Sequence, residues 1–521
     1  MNLGGVINMN RKLASWGAAA LAGALAASAL TGCAGKSANT PAAESAAPNS
    51  PAGDKENKEK LPITIMTQSW AGGGWPDDYS VIKKLNEKLN IDLKIQWVPA
   101  DNYTEKLNVL AASNSFPDAF YLGGDLFSKW RDKGIFLDIK DELPNYPNLT
   151  KHLSESTYKV LNPKDKIFGI PHYGIEARDP LMIRKDWLDK LGLKVPDTLD
   201  EFYEVAKAFV NGDPDGNGQK DTIGITFGMT KTGSLFNIEH VMGAFGLIAW
   251  KDANGSLVPL QAQTQEWKDF LTFMQKAYKE GVLDKDFAVN KSRDPWSKFE
   301  AGKTGITIAN PFEFYTDSVP LIKKTSPNAE FVQLNPPAGP TGLRGGITSS
   351  LSTAKIVLNA KTDKAKQKRI MELFDYMLSD EGFDLIKHGI EGVHYKKNGD
   401  KFEKLEAFDK DRPYLISTWL IRRNDPLIQV RKWDDPTYTK TIQSIFEINE
   451  KFKRPNPATG LVSDTNTKIG PELSTKFGET VTKIITGELP VGAIDKAIAD
   501  WNSGGGDKIV KEMNEEYAKT K

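Results

Sequence analysis

A single cysteine, Cys33, stands in 521 residues, so no disulfide framework holds this chain together. An excess of one charge is also missing. The 68 Lys and Arg are matched by 68 Asp and Glu, for a formal net charge of zero, and nothing in that balance points to nucleic acid. Histidine is scarce: His152, His172, His240, His388 and His394 are the five, none in an H-E-x-x-H arrangement, and no G-x-S-x-G occurs. Gly302-Lys303-Thr304 and Gly35-Lys36-Ser37 look like the tail of a phosphate-binding loop. The glycine needed five residues earlier is Ser297 in one case and Leu30 in the other, so neither would cradle phosphate. Internal repeats are absent as well, which weighs against a repetitive surface adhesin. Acidic residues are plentiful, however, and a carboxylate pair of the kind a glycosidase uses is not excluded by sequence.

A long apolar run occurs once. Arg11 and Lys12 precede an uncharged stretch from Leu13 to Leu30, which has the layout of a secretory signal peptide. A run of roughly 18 apolar residues could also nearly span a bilayer. What decides between the two is Leu30-Thr31-Gly32-Cys33, where small residues precede the one cysteine as a lipoprotein signal peptidase requires. Residues 1–32 are therefore expected to be removed and Cys33 acylated, palmitate being one such chain, since two chains anchor stably where one is marginal. Residues 33–60 are mostly Ala, Ser, Pro, Asn, Gly, Lys and Glu without aromatics, and cannot bury enough apolar surface to fold. Such a tether has an extended reach on the order of 90 Å.

The remaining body of about 460 residues exceeds one core and implies two or more lobes. Strand, helix, strand, helix and strand are expected at Leu61–Met66, Val81–Leu89, Ile91–Val98, Tyr103–Ala112 and Asp118–Leu122, the opening of an open α/β sheet. A hinge is expected between Lys166 and Arg184. Thr198-Leu-Asp-Glu201 has capping-box spacing ahead of a helix. The C-terminal part reads as helical, with Ile494, Ala497, Ile498 and Trp501 on one face, broken at Gly504-Gly505-Gly506.

The sharpest chemical signal is the segment Asp213 to Asp221. Asp213, Asp215, Asn217 and Asp221 stand at positions one, three, five and nine of a calcium loop, with Gly218 at six and the Gln219 carbonyl at seven. Position twelve is Gly224, so a complete EF-hand is ruled out and a ligand must come from elsewhere, Thr222 or a distant carboxylate. The expected role of Ca²⁺ is structural; the alternative is an Asx-rich turn without metal.

These residues resemble the extracellular solute-binding lipoproteins of the LipO-like and alginate-binding-protein type, which serve oligosaccharide ABC importers. The resemblance covers nearly the whole chain. It rests on Cys33, Ser115-Phe-Pro-Asp118, Phe168-Gly-Ile-Pro-His-Tyr173, the Asp213 loop, Phe299-Glu-Ala-Gly-Lys303, Gly389-Ile-Glu-Gly-Val-His-Tyr395 and Thr486-Gly-Glu-Leu-Pro490. It implies a periplasmic-binding-protein-like fold, two α/β lobes joined by a hinge, with ligand in the cleft. The expected segments are 61–172 for part of the first lobe, 173–350 for part of the second, and 351–521, mainly helical, crossing both. In the family the metal loop uses its odd positions and the residue after the last Asp, here Thr222.

Sugar sites need flat apolar faces and planar polar groups. Among twelve tryptophans, Trp70 and Trp75 flank Gly72-Gly-Gly74 after the first strand, an edge where open sheets bind ligands. Tyr121, Tyr173, Phe312 and Tyr315 follow strand ends or the hinge; Trp296, Tyr395 and Trp419 are further candidates, with Asp125 and Arg178 for polar contacts. The expected protein is a monomeric carbohydrate-binding component at the outer face of the cell membrane, delivering an oligosaccharide to an ABC permease and making no bond. A lipid-anchored glycosidase or lyase is the alternative.

Overall fold

The computed structural model describes residues 59–521 except 70–73, 75–76, 163–164, 173, 175–176, 346–347 and 350–353. The expected signal peptide, Cys33 and the tether lie outside the described residues. Residues 58–521 form one compact unit.

In chain order the elements that position the site are β1 (Leu61–Ser69), α1 (Ser80–Leu89), β2 (Ile91–Pro99), α2 (Ala100–Ser113), β3 (Ala119–Leu122), β4 (Ile170–Pro171), β5 (Leu181–Arg184), α3 (Leu199–Asn211), α4 (Thr264–Lys279), β6 (Ile306–Ile308), β7 (Phe331–Leu334), β8 (Lys355–Leu358), α5 (Lys364–Leu378), α6 (Pro436–Lys451) and α7 (Asp464–Ile485). Five strands pair in the order β2-β1-β3-β8-β4, with β1 parallel to β2 and β3, and β8 antiparallel to β3 and β4. Asp118 locks this sheet: its carboxylate accepts from the Thr64 N–H at 2.9 Å and pairs with Lys366 of α5. The second sheet, β6-β5-β7, is wholly antiparallel.

Each sheet has its own core, and the cores divide the chain into two lobes. One collects Ile63, Ile65, Leu85, Leu93, Ile170, Ile356, Phe374 and Leu420. The other collects Ile183, Trp187, Phe209, Phe270, Met274 and Ile306, together with Phe477, Ile484 and Trp501 from the C-terminal helices. The chain therefore crosses between lobes three times, in the stretches around 172–180, 335–353 and 421–441. The first crossing falls inside the expected hinge. Helix α3 begins with the anticipated capping box: the Glu201 N–H donates to the Thr198 hydroxyl at 3.2 Å, and the Thr198 N–H donates to Glu201 at 3.0 Å. The triple glycine does interrupt the C-terminal helices, through Gly505 at φ 128°, a conformation that a side chain would strain.

Candidate functional site

The crossings bring polar side chains of both lobes into one neighbourhood. On β3, Ala119, Phe120 and Leu122 are buried while Tyr121, near the C-terminal end of the strand, stays partly open. The Tyr121 ring meets His172 edge-on at 5.4 Å. Burial raises the Tyr121 pKa; burial, reinforced by the Arg422 charge, pushes the His172 pKa well down, so both stay neutral at pH 7.

Arg178, on the first crossing, grips Asp179 through two parallel bonds of 2.6 and 2.9 Å, with 31 % of its side chain still exposed. Two more arginines stand on the third crossing. Arg422 donates Nε to the Thr418 carbonyl, and Arg431 donates Nη1 to the Ile428 carbonyl at 3.1 Å with its guanidinium 5.0 Å from the Tyr414 ring centre. Burial lowers the pKa of each to about 10, so both remain cationic at neutral pH.

From the second lobe, Tyr315 packs edge-on to Phe314 at 5.1 Å and faces Tyr438 of α6 at 6.4 Å. The indole of Trp296 carries the Arg293 guanidinium 4.2 Å above its face and donates Nε1 to Ser318 at 2.7 Å. Burial raises the carboxylate pKa values of Glu313 and Asp317, while Arg178 and Arg293 oppose the rise at Glu313. The fields of Arg178 on Glu313 and of Asp317 on Tyr414 and Tyr438 tie the two faces together.

Tyr121, Arg178, Trp296 and Tyr315 are thus partly open polar or aromatic groups of the kind expected. Trp70, Trp75 and Tyr173 lie outside the described residues. Asp125 is on the short helix Gly124–Trp130, which packs against α7, but its side chain is outside the description. Two expectations are corrected. Phe312 is 2 % exposed with its ring 6.0 Å from Phe446, and Tyr395 is 5 % exposed, packed on Trp433 and Phe402; both are core residues. Trp419 is nearly buried against Trp97 at 5.9 Å, and a Cβ on Gly74 would overlap the Trp97 indole at 1.9 Å. Sequence reasoning missed Trp97, Arg422, Arg431, Glu313 and Asp317, which no local motif marks.

Two partly open pockets, about 20 and 80 Å³, lie within the second lobe, one beside His240 and one beside Trp267. They have room for a few waters at most and not for a sugar.

The Asp213 loop follows α3. Asp213 has φ 47°, and Gly216 and Gly218 have φ 76° and 74°, so the tight turns fall where glycine tolerates them. The Asn217 side-chain amide bridges Asp215 at 2.7 Å and Asp221 at 3.2 Å, and the Gly218 N–H points at Asp213. Burial and the neighbouring Asp213 and Asp221 raise the Asp215 pKa. Lys303 pairs with Asp221, and Lys190 donates to the Asp213 carbonyl at 2.9 Å, so cations already offset part of the negative charge. These oxygens suit a hard divalent ion, although among the described residues no three acidic or imidazole groups are drawn into ligand positions. Packing explains the missing twelfth ligand: a Cβ at Gly224 would come within 2.6 Å of the Ala206 carbonyl and 2.8 Å of Val282. The Thr222 hydroxyl donates to the Phe209 carbonyl at 2.6 Å, which leaves its lone pairs unused.

Residues 72–382 match the family model described as bacterial extracellular solute-binding protein. The chain belongs to that family. This solute-binding protein is 31 % identical over 459 residues to the polygalacturonan/rhamnogalacturonan-binding protein YtcQ of Bacillus subtilis, covering 86 % of this chain and 89 % of YtcQ. It is 30 % identical to lipoprotein LipO of the same organism, covering 91 % and 94 % of the two chains. Among solved structures, the alginate-binding protein AlgQ2 without calcium superposes with a TM-score of 0.70 at 20 % identity, over 88 % of this chain and 98 % of the other. The Streptococcus pneumoniae substrate-binding protein FusA in complex with kestose gives 0.70 at 18 % identity, over 88 % and 99 %. These two likenesses carry the two-lobed, periplasmic-binding-protein-like fold.

Proposed function

We propose that this solute-binding protein captures an oligosaccharide between its lobes and delivers it to an ABC permease, as a monomer anchored through acylated Cys33 at the outer face of the cell membrane. The observation that carries the reading is the family match together with the side chains gathered at the crossings, where aromatic groups (Tyr121, Trp296, Tyr315) stand with planar charged groups (Arg178, Arg422, Glu313). Rings stack on sugar C–H faces and the planar groups bracket hydroxyls. Binding free energy then comes from stacking and hydrogen bonds made best in the closed form, so ligand shifts an open–closed equilibrium by its differential affinity. No bond is made or broken, and the glycosidase or lyase alternative is set aside because its relatives are binding proteins.

Ca²⁺ belongs in this reading as a structural ion at Asp213, Asp215, Asn217, Asp221 and the Gln219 carbonyl. It would tie the C-terminal end of α3 to the segment carrying Lys303. Its support is the donor chemistry of the loop, alongside the existence of an EF-hand mutant of the structural neighbour FusA.

The test is calorimetric titration of the full chain in detergent with neutral and acidic oligosaccharides, with chromatography of each sugar afterwards. Saturable binding of one sugar class, recovered intact, is the expected result. Shortened sugar in the recovered pool would install the enzyme in its place.

A further inference from the structure

Two lysines attend the Asp213 loop, and they are placed differently. Lys190 donates to the backbone carbonyls of Asp213 at 2.9 Å and Pro214 at 3.2 Å, and pairs with no carboxylate among the described residues. Lys303 is the one ammonium among the described residues that pairs with a loop carboxylate, that of Asp221 at position nine. Asp213 and Asp215 are left to the Gly218 N–H at 3.2 Å and the Asn217 side-chain amide at 2.7 Å. The same amide reaches Asp221 at 3.2 Å, so the oxygens suited to a metal are facing an ammonium and an amide.

The backbone fixes where Lys303 starts. Its N–H donates to the Lys298 carbonyl at 2.8 Å, and its carbonyl accepts from the N–H of Ile223, two residues beyond Asp221, at 2.7 Å. The side chain is 43 % exposed on a flexible four-carbon stem, so it can turn into water without moving the backbone that leads into β6. An ammonium and a divalent ion on one carboxylate repel each other at close range, so the two are alternatives at Asp221. Position twelve is Gly224 and supplies no second carboxylate to take over.

We propose that Lys303 is an internal cation that stands in for the metal: it pairs with Asp221 in the metal-free loop, gives way when Ca²⁺ binds, and thereby sets how tightly the loop holds the ion. This rests on the calcium reading above and adds the residue against which the ion competes. Competition has a signature that a merely structural lysine lacks. Removing the ammonium costs the metal-free form a little, because the pair is partly exposed, yet strengthens ion binding, because nothing has to be displaced.

The experiment titrates Ca²⁺ calorimetrically into the EDTA-stripped full chain in detergent, at about 0.15 M salt to screen charges that do not touch the ion, with melting curves in EDTA and in saturating Ca²⁺. Lys303→Gln is expected to bind Ca²⁺ about tenfold tighter than wild type and to show a wider gap between its two melting temperatures. Lys303→Arg, which keeps the charge, should not tighten, and Lys190→Gln should change affinity by less than about threefold. Binding by Lys303→Gln alone would be the extreme of the same result. Equal or weaker Ca²⁺ binding by a folded Lys303→Gln overturns the proposal and leaves the calcium site standing. So does equal tightening by Lys303→Gln and Lys190→Gln, which would make the effect one of net charge. If none of these proteins binds Ca²⁺, the calcium reading itself fails and takes the proposal with it.

Discussion

Asn449 on α6 donates its side-chain amide to the Ala177 carbonyl at 2.7 Å, joining residues 272 apart in sequence at the foot of the first crossing. Asn449 is 5 % exposed, its oxygen accepts from Gln333 of β7 at 2.7 Å, and Ala177 holds a left-handed φ of 47°. One amide therefore fixes the strained backbone from which Arg178 projects. Asn449→Ala would leave two buried partners unsatisfied, at about 1–3 kcal/mol. Urea unfolding should show that loss. Ligand affinity should fall further than a distant mutation of equal cost makes it fall, because the crossing is no longer preset.

The Asp213 loop gives a prediction that does not depend on sugar. Ca²⁺ at a hundred times its dissociation constant should stabilise the fold by about 2.7 kcal/mol. EDTA should therefore lower the melting temperature and Ca²⁺ restore it. Asp215→Ala should melt at the same temperature with and without EDTA. A wild-type melting curve indifferent to EDTA would leave the loop as a turn capped by Lys303 and Lys190.

Acid should weaken the first lobe through His388, which is buried and donates its Nδ1–H to the Asp384 carboxylate over 2.9 Å. Burial, then the positive charges of Lys387 and Arg431, lower its pKa to about 4, although Asp384 opposes this. Its unfolded value lies near 6.5, so between about pH 6.5 and 4 the unfolded chain binds the extra proton. Stability should therefore decline as pH falls through that window, by up to about 3 kcal/mol from this group. Asp384, lowered to about 2 by His388 and Lys432 against its own burial, adds a further loss at still lower pH. Denaturant unfolding at pH 7, 5.5 and 4.5 measures the slope, and His388→Gln should flatten it.

What was legible in the sequence was local. The alternation at Leu61 and the helical spacing at Ile494 are properties of neighbouring residues, and both segments fold as they read. The Thr198–Glu201 capping box spans three residues and forms as spelled out. Phe312 and Tyr395 read as site residues because they follow a strand or sit in a motif, yet exposure is set by the helices that arrive later in the chain: α6 brings Phe446 over one ring, and Trp433 covers the other. Arg422 and Arg431 were invisible for the converse reason. Their place beside Tyr121, Arg178 and Tyr414 comes from three inter-lobe crossings, which no window of sequence contains.

The last prediction concerns Cys33. It is the one cysteine in the chain and is preceded by Leu30-Thr31-Gly32, so a thiol there has no disulfide partner to serve within the chain. Cells expressing this protein with labelled palmitate should incorporate label, and Cys33→Ser should abolish it. The variant should also leave the membrane fraction, because an uncleaved apolar run of about 18 residues is only a marginal span; among the described residues no helix is long and apolar enough to cross a bilayer. A Cys33→Ser protein that stays membrane-bound through alkaline carbonate extraction would instead show that Leu13 to Leu30 is retained as a transmembrane segment.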